Sequence, residues 1–260
     1  MKKNATSDFL KRTAAFTGGA LFLIVIWHVA STWLVPADNR WLSPGPVAIG
    51  AFIAKNSLLF LTGLKITGGN TLFGLILGAF AGLFLAVVFH LLPVFEKAAL
   101  PFISTLPSVP VIAIAPLITL WIGSQNSVVF ISAFICFFPI LLTVLTGLSN
   151  GYRSQREYFS MQGATWTSKL LYLDFGASLA YFAVGLRSAA PLAVIGALVA
   201  EFIAPRGPAE GLGTLILRFA NQTNIPGLLA SALVCAFLGM CVSGVAMLLS
   251  FLLLKKFPPE

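Results

Sequence analysis

Apolar residues in this chain come in blocks, separated by short breaks rich in polar residues, glycine or proline. The blocks lie near Ala14 to Val35, Gly69 to Leu92, Ala98 to Ile122, Ser127 to Leu148, Leu179 to Ala204 and Leu228 to Leu254. A hydrocarbon core of roughly 30 Å takes about 20 helical residues to cross. Inside lipid every backbone N–H and C=O must find a partner within the protein, which selects helices for blocks of this kind. The pattern predicts an all-α, polytopic membrane protein with about six transmembrane helices. No low-complexity linker and no repeat of 20 to 50 residues interrupts it, so residues 1–260 read as a single transmembrane domain with its core at about 65–254.

Details within the blocks sharpen this picture. The longest connection between spans runs from Pro36 to Gly68, and its apolar part, Pro46 to Leu61, fits an amphipathic helix lying along the outer interface. Gly74, Gly78 and Gly82 recur every fourth residue, so another backbone can approach that face of the second span. Packing within one subunit and contact between subunits both fit such a face. The third block holds Pro101, Pro107, Pro110 and Pro116, and each interior proline removes a donor and clashes with the preceding turn, so this span must be bent or broken. Irregular backbone in a membrane is tolerated where protein buries it or a watery cavity meets it. Pro107, Pro110, Pro116 and the following Trp121 are therefore candidates for a translocation pathway, with a plain packing kink as the alternative. The fifth block carries Arg187 and Glu201, fourteen residues apart, or about 21 Å along a helix, too far to pair. Interfacial anchoring and a role in a pathway or gate both fit them.

Composition agrees with a membrane solvent. Of 260 residues, 58% are hydrophobic and 9% charged, too little polar surface for a soluble globule of this size. The net charge of +8 would raise nucleic acid as a partner in a soluble protein, but here the basic residues sit between the apolar blocks and at the two ends. With both termini inside, Lys2, Lys3, Lys11, Arg12, Lys97, Arg153, Arg156, Lys169, Lys255 and Lys256 fall in cytoplasmic segments, against Arg40, Lys55, Lys65, Arg206 and Arg218 outside. That bias orients the chain. The first block, at about 22 residues, exceeds a signal peptide's apolar core and reads as a retained span.

Candidate chemistry is sparse. Cys136, Cys235 and Cys241 lack metal-ligand spacing and read as small buried apolar groups; His28 and His90 are isolated in or beside apolar helices. No Gly-x-x-x-x-Gly-Lys-Ser/Thr phosphate loop and no clustered catalytic set occurs, so the chain carries no ATPase of its own and no expected metal or cofactor.

The stretch between the fourth and fifth blocks, about residues 150–178, is different in kind. From Tyr152 to Trp166 it mixes helix formers with aromatics and is interrupted by Gly163, whose freedom at positive φ ends one helix and turns the chain into the next. Two short helices at an angle are predicted. Tyr158, Phe159, Met161 and Trp166 are too apolar for an unpartnered cytosolic loop and mark an interaction surface.

The run Glu157-Tyr158-Phe159-Ser160-Met161-Gln162-Gly163-Ala164-Thr165, followed by Gly185-Leu186-Arg187, resembles the coupling or "EAA" loop of bacterial binding-protein-dependent ABC importer permeases. Further likenesses are Leu42-Ser43-Pro44-Gly45-Pro46 to the family's "lpsP", Pro107 through Gly123 to its "iPplAliPLlllwfG", Glu201 to its "aE", and Glu210-Gly211-Leu212-Gly213 to its "sGLG" turn. Tyr158-Phe159 stands where the family has two alanines, and Gly176 and Ala180 stand where it often has prolines. The nearest subgroup by these motifs is that of nitrate, taurine, alkanesulfonate and thiamine-precursor permeases. The resemblance implies a six-span subunit of the type I importer kind in the bacterial inner membrane, pairing with a second copy. It implies ATPase subunits, with their ATP and Mg, docked on Glu157, Tyr158, Phe159, Gly163, Ala164, Thr165 and Trp166, and a solute-binding protein outside. An ion-coupled secondary transporter is the rival reading, but it needs intramembrane ionisable residues for coupling and Glu201 alone is poor support; a membrane enzyme would need a polar catalytic cluster that the sequence lacks.

Overall fold

The computed structural model describes residues 18–19, 21–22, 24–34, 36, 42–150, 153–203 and 210–256. Among these, every regular element is helical. Among the described residues four helices are long and apolar enough to cross a membrane, or five if a bent pair is counted as one span. The first predicted block is represented by α1 (Ile24–Trp33); the rest of that block lies largely outside the described residues.

α2 (Pro46–Lys55) starts on a proline, whose fixed φ suits a first helical position and whose missing N–H would have had no partner there. It ends at Asn56, and α3 (Ser57–Leu91) begins at once. The predicted connection from Pro36 to Gly68 is thus too long: its last part, from Ser57 on, is already the second span. Thr62, Thr67 and paired glycines make this turn of sequence look like a break. In the structure the Thr62 hydroxyl donates to the Leu58 carbonyl at 2.8 Å, Thr67 is fully buried, and Gly63 faces Leu212 and Leu215. Thr62 and Thr67 are satisfied in this way, although the buried Thr71 hydroxyl finds no partner, and the helix continues for 35 residues, or about 52 Å.

The third block is two helices. α4 (Pro93–Thr105) runs into a 3-10 turn, Leu106–Ser108, and α5 (Val111–Ile122) leaves it; the pair is bent by 92°. Pro107 sits in the turn and Pro110 immediately precedes α5, so two backbone donors are missing where a straight helix would need them. α5 ends at Gly123, with φ +82, and the chain re-enters as α6 (Ser124–Asn150). The segment expected to dock a partner consists of α7 (Arg153–Met161) and α8 (Trp166–Lys169), followed by a π turn, Leu170–Asp174. α9 (Phe175–Ile203), the short α10 (Leu212–Asn221) and α11 (Ile225–Lys256) complete the fold.

α6 lies at the centre, with α3 and α9 packed along it and α11 against α9. α6 contributes bulk: Ile131, Ile140, Leu141, Val144 and Leu145 are essentially fully buried. α9 contributes smallness, with Ala180, Ala183, Ala189, Ala190, Ala193, Ala197 and Ala200 all at 0% exposure. Large side chains on one helix filling a flat small-residue face on the other is the packing that works between helices already in lipid. Polar groups lock it. The Ser132 hydroxyl donates to the Ala193 carbonyl at 2.9 Å, and Ser250 on α11 donates to the Ala183 carbonyl at 2.6 Å.

Gly74, Gly78 and Gly82 are all buried against α6 of the same chain. A Cβ at Gly82 would come 2.9 Å from the Phe137 carbonyl oxygen, and one at Gly78 would run into the carbonyl of Ala133. Backbone cannot step aside as a side-chain tip can. Gly78→Ala is therefore expected to lower the thermal midpoint of the detergent-extracted protein, at about 1–3 kcal/mol for an overpacked contact. Gly69→Ala, where nothing lies within 4 Å, serves as the control and should leave it unchanged. Equal midpoints for the two variants would contradict the close approach.

Candidate functional site

The predicted pair of short helices is present, and its turn has a defined chemistry. At the end of α7 the Gly163 N–H donates to the Ser160 carbonyl at 3.1 Å and the Ala164 N–H to the Phe159 carbonyl at 3.0 Å. With Gly163 at φ +71, this is the double hydrogen-bond closure that satisfies a helix's last carbonyls and reverses the chain. Thr165 then caps α8: its hydroxyl accepts the Ser168 N–H at 3.3 Å and meets the Ser168 hydroxyl at 2.9 Å. Lys169 reaches back from α8 to the Ser160 hydroxyl at 2.9 Å, fixing the two helices relative to each other.

On this frame Glu157 is exposed, Tyr158 is 60% and Met161 85% exposed, and Phe159 and Ala164 are half-buried. Trp166 opens α8, and its side chain lies outside the described residues. Tyr158 and Met161 are three apart on α7 and so share a face. Tyr172 in the π turn, 78% exposed, adds an aromatic that sequence reasoning passed over. Beneath the segment, the His90 ring Nε2 and an Asp174 carboxylate oxygen lie 3.4 Å apart, both largely buried, joining the C-terminal end of α3 to the π turn.

The pathway candidates divide. Pro107, Pro110, Pro116 and Trp121 lie along the bent α4–α5 pair, where one face of α5 packs Ala115 and Ile118 against α6 and α9. The opposite face is open, with Leu120 82% and Trp121 72% exposed. Arg187 is exposed on α9.

Glu201 does not join this group. It is 4% exposed and sits beneath the start of α10. Its Oε2 accepts the Gly213 N–H at 2.7 Å, and the Thr67 hydroxyl donates to the carboxylate, with oxygen separations of 2.8 and 3.0 Å. The same Thr67 oxygen accepts the Leu212 N–H at 2.7 Å. A carboxyl oxygen under the first turn of a helix accepts from N–H groups that lack intrahelical partners. Gly211 and Gly213 leave no room for a side chain: a Cβ at Gly213 would lie 2.9 Å from the Glu201 Cβ. Among the described residues no group of three His, Cys, Asp or Glu comes together as a metal site.

Comparison with known proteins decides the class. Residues 71–257 match the family described as the binding-protein-dependent transport system inner membrane component. The chain belongs to that family. This permease is 34% identical over 222 residues to the formylaminopyrimidine transport permease protein ThiX of Halalkalibacterium halodurans, covering 85% of this chain and 86% of the relative. It is 32% identical over 161 residues to the riboflavin transport system permease protein RibX of Chloroflexus aurantiacus, covering 62% and 59% of the two chains. With the putative aliphatic sulfonates transport permease protein SsuC of Bacillus subtilis it shares 27% over 241 residues, 90% and 84% of the two. The chain is thus a membrane-embedded ABC transport permease of the group the motifs indicated, and this reading is favoured over an ion-coupled secondary transporter.

For a permease, what sequence reasoning missed lies on α3, near its C-terminus and ten residues in from its N-terminus. Thr67 and His90 matter through partners more than 80 positions away, Glu201 and Asp174, and no local pattern announces such a pair. The available signal was a buried-type histidine and an aspartate flanking the α7–α8 segment.

Proposed function

We propose that this permease forms half of an ATP-driven import pathway, pairing with a second copy, with ATPase subunits docked on the α7–α8 segment in the cytosol and a solute-binding protein meeting the outer end. The observation that carries this reading is the capped turn at Gly163. It holds Tyr158 and Met161 outward on a short rigid helix, as a partner groove requires. ATP hydrolysis, with its Mg, belongs to the partner, whose closure displaces the segment and moves α5 and α9, changing which side is open. Both termini and the segment are cytosolic, in a bacterial inner membrane.

The proposed cargo is a small organic solute. The relatives above 30% identity carry formylaminopyrimidine and riboflavin in their names, which favours a flat heteroaromatic over a sulfonate. Uptake of labelled formylaminopyrimidine by cells expressing the whole gene cluster, against a labelled alkanesulfonate, tests the choice; preference for the sulfonate would reverse it.

The assembly itself is tested by co-expression with the neighbouring ATPase gene. A stable complex that hydrolyses ATP is expected, while the purified chain alone should hydrolyse none. Orientation is checked with single cysteines in a background lacking the native three. Gln162→Cys and Asn221→Cys, both at exposed positions, should react with a membrane-impermeant maleimide from opposite sides. Labelling of Gln162→Cys from outside sealed cells would overturn the cytosolic placement.

A further inference from the structure

α3 is pinned at two points by buried polar pairs that reach outside its own sequence neighbourhood, one next to its C-terminus and one ten residues in from its N-terminus. At the C-terminal end, His90 meets Asp174 at 3.4 Å, in the π turn that directly follows the docking helices. A π turn widens the helical spacing locally and re-aims its side chains, and Asp174 there is turned inward onto α3. At the other point, Thr67 donates to Glu201 and accepts the Leu212 N–H, so one hydroxyl holds both the end of α9 and the start of α10. Thr67 and His90 are separated by about 35 Å of helix, the thickness of the hydrocarbon core.

Between the pins α3 has little freedom to bend alone. Gly74, Gly78, Gly82 and Ala86 bury it against its neighbours at four-residue intervals, in backbone contact with α6 at the glycines. Beyond the outer pin, α10 is tied in as well: Phe219 packs edge-on against Phe52 of α2 at 5.7 Å and lies beside Phe60 of α3 at 6.5 Å. A displacement at Asp174 thus has two continuous routes to the outer helix: α9 itself, which runs from Phe175 to Glu201, and α3, which reaches Leu212 of α10 directly through Thr67.

We propose that α3 is the strut tying the docking segment to the outer helix α10, with His90 near its C-terminus and Thr67, ten residues in from its N-terminus, as the positioning residues. The proposal rests on the reading of α7–α8 as an ATPase-docking segment. Neither residue touches cargo or nucleotide; each acts through the helix it anchors.

The test uses the complete transporter, permease with its co-expressed ATPase, in proteoliposomes. An Asn221→Cys reporter at the end of α10 is labelled with a maleimide with and without ATP and vanadate as the trapping probe. In the parent, trapping should change the labelling rate. His90→Leu should reduce that change about tenfold, as expected for losing a hydrogen bond to a charged group, while ATPase retention and basal hydrolysis stay at parental level. His90→Gln, which keeps a donor for Asp174, should restore the change. Thr67→Val, close in shape but without the hydroxyl, should abolish it from the other pin, and stands in if His90→Leu fails to accumulate. A reporter that ignores trapping in the parent overturns the strut, as does an undiminished response in both His90→Leu and Thr67→Val. Failure of His90→Gln to restore the response overturns the polar link. Loss of the ATPase from the parent complex itself would instead bring down the docking reading on which the strut stands.

Discussion

Gly163→Val should leave normal amounts of permease in the membrane, weaken retention of the ATPase about tenfold and abolish uptake. The glycine has φ +71 and nothing within 4 Å of where a Cβ would be, so no collision contributes. The whole penalty is conformational. An L-residue held in the left-handed region costs about 1–2 kcal/mol, a β-branched one lies towards the upper end, and about 1.4 kcal/mol corresponds to tenfold in affinity. Relief comes by abandoning the turn, which releases the Gly163 and Ala164 hydrogen bonds and reorients α8 against α7. The helices that cross the membrane are untouched, which is why insertion should persist. Gly163→Asn separates conformation from bulk: asparagine tolerates the left-handed region, so this variant should remain close to the parent. Uptake lost with the ATPase still bound would assign Gly163 to transmission. Unchanged uptake and assembly in Gly163→Val would reduce the segment to a connection between spans.

Glu201→Ala should loosen the start of α10 without altering the α7–α8 segment. It strips the acceptor from a buried N–H of Gly213 and from the Thr67 hydroxyl. Each orphaned buried donor costs roughly 1–3 kcal/mol, so the thermal midpoint of the extracted protein should fall by several degrees. Hydrogen exchange gives the sharper readout: the amides of Leu212 and Gly213 should exchange much faster, with those of α6 unaffected. Glu201→Gln keeps an acceptor oxygen and should fall between the parent and the alanine variant. Unchanged exchange at Leu212 and Gly213 in Glu201→Ala would contradict the role of the carboxylate as the anchor of α10.

The spans were legible because lipid imposes one crude rule on a sequence, long apolar runs, and the blocks at Ser127 to Leu148 and Leu228 to Leu254 obey it closely. Errors arose where polar residues interrupt a run yet are satisfied by distant partners. Thr67 is the instructive case: read locally it belongs to a polar connection, yet it is buried at 0% because Glu201, far along the chain, arrives to accept its proton. Gly163 was readable for the opposite reason, since its turn depends only on the residues around it. Glu201 was singled out as a charge in an apolar helix, but whether it faced a pathway or a neighbouring backbone could not be judged before α10 was placed beside it. The glycines of α3 left two partners open for similar reasons, and the fold supplies α6 of the same chain.

The alanine-rich face of α9 bears on how the protein is made. Small side chains fit it to α6 but leave it the least apolar of the four long spans. As it emerges from the ribosome, α9 therefore has the weakest claim of its own to a place in the bilayer, with a proline at Pro191 and Arg187 within it. α6 precedes it into the membrane and offers the ridge of Ile, Leu and Val that α9 fits, together with Ser132, the donor for a carbonyl near the proline. Stable insertion of α9 should then depend on α6 as a template already in place. Nascent chains in which the α6 face is polar would stall with α9 outside the bilayer.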